Sequence, residues 1–443
     1  MKNPLTKVAA ALPPGTLAVA GGTVVLGAAS YIHLGVAGHS LSVDDMANVS
    51  LLWTIVMSIG IGVFFPIEQE LTRIVAARAA LGHGAGPVLR RAALLTGAIL
   101  GVTLLALFAA AGPIADGLFH GDRSLVAALG GAFAGMAACY LTRGVLAGLG
   151  RFVAYGTQLG IDGGLRIALA AACALLGVHS ALAFSLILSV APLVAVLATL
   201  PTLLRAVKPG PVIPWRELCG GLGLLICSTL LSQVVVNAAV LSTKLLAPSD
   251  SALIAALLNA LVLARVPLFV FGSLQASLLN GLSAAVAVGD KAAFSGMLRR
   301  IAAVVGLLGV LGGVPAVVLG PWLIQVLFGA QPVLGCLDFF WMSAGTVAYM
   351  FAMVLGQALM VLKRHNLQLL CWAVGTLVLI GVTFAPGEVA TRVTLAYALG
   401  SVATVVGMLA ALKRSFPGAT AGSSAQSAQA PAPSPLGVGG AGT

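Results

Sequence analysis

Charge is what this chain of 443 residues has least of: Asp, Glu, Lys and Arg together make up 8% of it, and only 12 residues are acidic. A soluble globular chain carries about 25% charged residues. A water-facing surface is therefore excluded at this length, and the solvent must be lipid. Metal and hydrolytic signatures are missing as well. The six cysteines and six histidines form no CxxC, no HExxH and no Cys/His ligand spacing, so no metal, cofactor or catalytic residue is expected. Five of the cysteines lie in apolar segments, where a thiol behaves as a small hydrophobe, and a structural disulfide is not expected. Long polar loops are also lacking. No connection is long enough for an extramembrane domain, which argues against a membrane enzyme with catalytic groups on an outer loop.

What fills the chain instead is apolar sequence: 60% hydrophobic residues and a mean hydropathy of +1.08. A helix needs roughly 20 apolar residues to span a bilayer. Twelve segments qualify, at about 14–38, 46–66, 88–113, 125–149, 157–178, 181–204, 217–244, 252–272, 296–319, 334–362, 366–385 and 391–412. The start of the chain imitates a secretory signal, with Lys2 and Lys7 before an apolar run and Ala18-Val19-Ala20 as a cleavage-like site. Pro13-Pro14 breaks that run, which favours an uncleaved first helix. The tail, 415–443, is rich in Ala, Gly, Ser and Pro and reads as disordered.

The net charge of +11 is spread singly and in pairs between apolar runs, a topogenic pattern rather than a nucleic-acid patch. With a cytoplasmic N-terminus, the outer loops hold only Arg123 and Arg392 of the basic residues, together with Asp44, Asp45, Asp116, Asp122, Asp250, Asp338 and Glu388. The positive-inside rule then predicts a multi-pass protein of a bacterial plasma membrane with both termini cytoplasmic.

A motif recurs with an offset of about two hundred residues. Phe64 to Arg91 reads FFPIEQELTRIVAARAALGHGAGPVLRR, and Phe271 to Arg300 reads FGSLQASLLNGLSAAVAVGDKAAFSGMLRR. Each copy has a Gln near its start (Gln69, Gln275), an amphipathic run and a closing Arg pair. Gly112-Pro113 and Gly320-Pro321 recur at a similar offset, as do Gly144 and Gly356. The expected fold is therefore all-α and polytopic, with about 12 transmembrane helices in two parallel six-helix lobes, 1–208 and 209–414, around a central cavity. The first copy is read as a cytoplasmic elbow carrying Glu68, Glu70 and Arg73 on a short polar helix. These three residues are either a solvated helix start or gate residues that pair across the lobes.

This architecture, with FFPIEQELTR followed by AARAALG, resembles the multidrug/oligosaccharidyl-lipid/polysaccharide (MOP) exporter superfamily, and within it the Wzx-like lipid-linked oligosaccharide flippases of actinobacterial type. The resemblance covers about residues 14–412. It implies a flippase that moves a polyprenyl-diphosphate-linked glycan from the inner to the outer leaflet. A glycan polymerase or glycosyltransferases of the same pathway would be partners, and a proton or sodium gradient a possible driving force.

Four basic residues fall inside the expected spans: Arg143, Arg166, Lys244 and Arg265. A charge at mid-bilayer costs about 2.5–3.5 kcal/mol on insertion scales, so such residues face a protein interior, a wet cavity or, as Lys244 could, snorkel to the surface. Asp162 lies four residues before Arg166 on one helix face. The two form either a structural pair or a cavity arginine with a coupling acid, and losing Arg166 is expected to strand Asp162. Thr229, Gln233, Asn237 and Lys244 share one face of the seventh segment, as an interhelical seam or a cavity lining. Three arginines against one acid point to an anionic substrate such as a diphosphate. The alternative is a multidrug or metabolite antiporter of the same superfamily.

Overall fold

The computed structural model describes residues 15–246, 266–328 and 334–415, with Leu253, Ala256, Leu257 and Ala260 between them. These residues form helices and turns with no strand. In chain order the helices are α1 (Thr16–Ser40), α2 (Val43–Ile55, a π-turn at Val56–Gly60, then Ile61–Ala80), α3 (Gly86–Ala109), the short α4 (Ala111–Leu118), α5 (Arg123–Gly148), α6 (Phe152–Leu175) and α7 (Ala181–Ala206). A linker, 207–214, leads to the five-residue α8 (Trp215–Cys219) and then α9 (Leu222–Leu246). The chain finishes with α10 (Val266–Ala287), α11 (Lys291–Phe328), α12 (Cys336–Val361), α13 (His365–Thr383) and α14 (Val389–Ser415).

Eleven of the described helices are long and apolar enough to cross a membrane. A helix of 24 residues such as α3 is about 36 Å long at 1.5 Å per residue, enough for a hydrocarbon core of about 30 Å. About half of the expected eighth segment, 252–272, lies outside the described residues. The helices α3 and α11 face outward, with Phe108 80% exposed and Val318 65%. Such side chains would be intolerable in water and are at home in acyl chains.

The apolar core changes hands at the linker. One buried cluster draws on residues from Val19 to Leu222, with Ala276; three others use residues from Leu225 onward. The linker is strapped to the first lobe. The Gly86 N–H donates to Lys208 O at 2.9 Å, Arg78 and Arg91 donate to the carbonyls of Pro211 and Ile213, and the Arg91 guanidinium lies 5.3 Å from the Trp215 ring centre. The lobes meet where α2 packs on α9 and α10, and α1 on α10. Asn280 of α10 adds a polar tie. Its amide donates to the carbonyls of Ala147 and Gly148 at 2.8 and 2.9 Å, two of the acceptors that every helix leaves orphaned at its C-terminus.

The expected elbow is not a separate polar helix. The helix α2 continues through Glu68, Glu70 and Arg73 to Ala80, and all three side chains are buried, with Glu70 only 2% exposed. Local pairing permits this. Arg73 Nε donates to Glu70 Oε2 at 2.9 Å one turn away, and Tyr155 OH donates to one carboxylate oxygen of Glu68. The second copy behaves likewise. The helix α10 runs on to Ala287, and Arg299-Arg300 lies inside α11 rather than in front of it.

Candidate functional site

The site begins with two close helix contacts. In α5 the sequence Gly144-Val-Leu-Ala-Gly148 places two glycines on one face, and α2 lies against them. A Cβ at Gly144 would stand 2.8 Å from the Glu68 carbonyl and 2.8 Å from Leu71 Cβ. In α6, Gly163 lets α1 come equally near, since a Cβ there would stand 2.7 Å from Leu26 Cα. Small residues are how membrane helices approach backbone to backbone. Together these contacts bring α1, α2, α5 and α6 close enough for their polar side chains to meet inside the first lobe.

What meets there is a cluster of three hydrogen-bonded groups. Asp162 accepts from Arg166 Nε at 2.8 Å and from Arg143 at 3.0 Å, so one carboxylate serves two guanidinium groups. Gln158 donates to Thr142 Oγ1 at 2.9 Å. Tyr155 OH donates to Glu68 Oε1 at 2.7 Å. The Arg143 guanidinium lies 5.8 Å from the Tyr140 ring centre, within the range of a cation–π contact. Buried polar atoms are normally partnered. Two charged atoms here are not: Arg143 Nε and Glu68 Oε2 have no hydrogen-bond partner.

Both of those residues line a cavity of about 300 Å³ between the lobes. Tyr140, Tyr155 and Thr23 form its first-lobe wall; Gln275 and Gln357 come from α10 and α12 across it. A second chamber of about 170 Å³ adjoins it, sharing Phe65, Gln69, Gln275 and Gln357. This chamber is uncharged, and Thr229, Gln233, Gln368 and Trp372 line it with Ser228 and Ser232. The amide oxygens of Gln357 and Gln368 are buried without a partner. The cavity thus has a charged chamber built by the first lobe, a neutral amide-rich chamber built by the second, and Gln69, Gln275 and Gln357 at the border.

The residues singled out from the sequence are sorted by this geometry. Arg143 and Glu68 line the charged chamber. Asp162 and Arg166 pair as spaced but stand behind its wall. Thr229 and Gln233 line the neutral chamber, while the Asn237 amide donates to the Gln233 carbonyl one turn back. Glu70 and Arg73 border a separate cavity of about 540 Å³ at the basic end, with Arg216, Glu217, Lys363 and His365. Glu70 and Arg73 pair with each other inside one helix. Lys244 lies on α9, and Arg265 lies outside the described residues. The expected excess of buried arginine is not what the described residues hold. Burial of Glu68, Glu70 and Asp338 beside Asp162 sets four acids against three arginines (Arg73, Arg143, Arg166).

Sequence reasoning missed Tyr140, Tyr155, Gln357 and Gln368, because they form no polar stripe along one helix face of the kind that marked Thr229, Gln233 and Asn237. It also missed His33 of α1, fully buried beside Phe184 at a ring separation of 6.0 Å. A histidine amid an apolar run was the available signal.

This fold is similar to that of solved MATE transporters of the MOP superfamily. A MATE multidrug resistance transporter solved in an outward-facing conformation superimposes with a TM-score of 0.75 over 90% of this chain and 94% of its own, at 16% identity. The Vibrio cholerae MATE transporter VcmN gives 0.75 over 91% and 96%, at 15% identity. A Pyrococcus furiosus MOP superfamily transporter, described as having a binding pocket of reversed polarity that suggests a different function, gives 0.77 over 90% and 94%, at 17% identity. No family model matches the sequence. By sequence the chain is similar to the uncharacterized protein Rv1510 of Mycobacterium tuberculosis, 27% identical over 428 residues that cover 92% of this chain and 94% of that one.

Proposed function

We propose that this protein is a MOP-type transporter, not an enzyme, that carries a lipid-linked glycan across a bacterial plasma membrane, with its basic end and both termini in the cytoplasm. The observation that carries this reading is the amide-rich interlobe cavity. Gln69, Gln233, Gln275, Gln357 and Gln368 surround it with Trp372 and two tyrosines, and two of the amide oxygens are buried with nothing to bond. An unsatisfied buried acceptor costs about 1–3 kcal/mol. A polyhydroxylated ligand removes that cost, because each sugar hydroxyl is both donor and acceptor. Arg143, which lines the charged chamber, would hold the diphosphate. Ligand pockets run to about 300–1,000 Å³, so chambers of about 300 and 170 Å³ suit a few sugar rings rather than a polymer. A proton or sodium gradient would drive the cycle, with Asp162 as the coupling acid. Depleting the protein should make a lipid-linked glycan intermediate accumulate in the cytoplasmic leaflet.

One observation favours a second reading. Glu68 lines the cavity and has a carboxylate oxygen without a hydrogen-bond partner, which suits a cation, and the neighbours of this fold include multidrug transporters. If depletion leaves lipid-linked glycans at their normal level while expression confers resistance to cationic drugs, the protein is a multidrug antiporter instead.

A further inference from the structure

A second built feature lies outside the interlobe cavity, at the strapped linker. A groove of about 730 Å³ runs between the N-terminal turns of α3 and the segment 207–215, lined by Arg90, Arg91, Lys208, Trp215, Leu94 and Val212 among others. It has three cations and no acid on its walls. The basic groups are fixed differently. Arg91 is held by the Ile213 carbonyl and the Trp215 ring, whereas Arg90 and Lys208 are exposed. Beside them stand apolar side chains with nothing over them: Leu94 is 61% exposed, Val212 70% and Trp215 43%. Leu94 belongs to α3, the helix whose outer face is bare apolar side chains.

We propose that this groove binds the headgroup of an anionic phospholipid of the surrounding leaflet. The phosphodiester sits among Arg90, Arg91 and Lys208, and the acyl chains run along Leu94 down the outer face of α3. The chemistry selects that occupant on three counts. Three cations around one opening match a phosphate ester that accepts several charge-assisted hydrogen bonds. An indole at the boundary of a polar and an apolar zone is the usual membrane-interface arrangement. The apolar exit from the groove leads outward along α3 and not into the interlobe cavity, so a soluble anion would leave Leu94 and Val212 bare, whereas a lipid covers them. The groove spans the first turns of α3 and the linker that joins the lobes, so a bound headgroup would reinforce the strap that ties them.

The test uses the full-length protein in phosphatidylcholine vesicles containing brominated phosphatidylglycerol or, separately, brominated phosphatidylcholine at equal mole fraction. The signal is the component of tryptophan quenching that a Trp215→Phe variant lacks. Brominated phosphatidylglycerol should quench it at a several-fold lower mole fraction than brominated phosphatidylcholine. A basic residue at a membrane surface contributes about fivefold to anionic-lipid binding, so Arg90→Gln with Lys208→Gln should remove the preference. Arg205→Gln, an equal loss per charge at the same end outside the groove, should keep it. Equal quenching by the two lipids overturns the proposal. So does a preference that survives the double change, or one that Arg205→Gln also abolishes, since that would be general surface attraction. Full displacement by millimolar inorganic phosphate would mark a soluble-anion site. Displacement by farnesyl diphosphate with no response to unlabelled phosphatidylglycerol would mark a substrate site. Either result excludes the bulk phospholipid.

Discussion

Asp162 is the residue on which the first lobe's charge balance turns, because it alone binds both Arg143 and Arg166. Arg166→Gln is therefore expected to be well expressed, since Asp162 keeps Arg143 as a partner; the sequence alone suggests the opposite. Asp162→Asn strands two buried guanidinium groups, and breaking a buried pair costs about 3–5 kcal/mol. Membrane-inserted protein should fall sharply for Asp162→Asn and stay near wild type for Arg166→Gln; equal levels would mean that the network bears no weight. Arg143→Gln leaves Asp162 with Arg166 but takes the cation from the cavity wall. A charge-assisted hydrogen bond is worth about 1.5–3 kcal/mol, so transport should drop about ten- to a hundredfold at unchanged protein level, with partial rescue by Lys. Wild-type transport by a well-expressed Arg143→Gln protein would make the residue structural. Glu68→Gln separates the two functional readings. It should spare glycan-lipid export and abolish any cationic-drug resistance.

At the scale of the helix, the decisive contacts are made by the absence of side chains. Gly144→Ala puts a methyl group 2.8 Å from the α2 backbone, and overpacking of this kind costs about 1–3 kcal/mol. The detergent-solubilised variant should melt at a lower temperature and transport poorly, whereas Gly160→Ala, with nothing within 4 Å of the new Cβ, should match wild type. The α9 face offers a second check. On a background without the six native cysteines, Cys at Thr229 or Gln233 should react with a small hydrophilic thiol reagent. Cys at Leu230, which packs on Gly62, or at Val234 should not; equal protection of both sets would make the neutral chamber dry. Much of this element map was legible in the sequence, because apolar runs of spanning length and single glycines at close spacing are local signals. The α9 polar face was legible for the same reason. The course of α2 past Glu68 was not. Whether a carboxylate ends a span or is buried within it depends on what faces it, and Tyr155 lies 87 positions away. Nor could spacing reveal that Arg143, on another helix, shares the carboxylate of the Asp162–Arg166 pair.

For the whole molecule, orientation and closure are the measurable properties. The distribution of Lys and Arg predicts that an alkaline-phosphatase reporter fused after Asp122 is active and one fused after Arg205 is silent; the reverse would invert the protein in the membrane. Asn280 ties the lobes through the last carbonyls of α5. With Asn280→Ala, spin labels at the exposed His83 and Lys291 should gain a population at longer separation, and an unchanged distribution would show that the tie does not hold the lobes. The two-lobed plan was legible from the repeated motifs, since duplication leaves its mark in sequence. The division of the cavity into a charged and a neutral half was not, because it arises only when Gln69, Gln275 and Gln357 are brought together from three helices.

The strapped linker also determines where the machine can swivel. Residues 207–215 are sewn to the first lobe, Leu218 packs in that lobe's core, and Leu225 already belongs to the other. Between α8 and α9 stand only Gly220 and Gly221. A joint of two residues acts as a pivot pin rather than a leash: it permits rotation and forbids sliding. Displacement then grows with distance from the pin. A ten-degree swing across a hydrocarbon core of about 30 Å moves the far end by about 5 Å while the pinned end barely shifts. Lengthening the chain between Gly220 and Gly221 would convert a lever into a loose coupling.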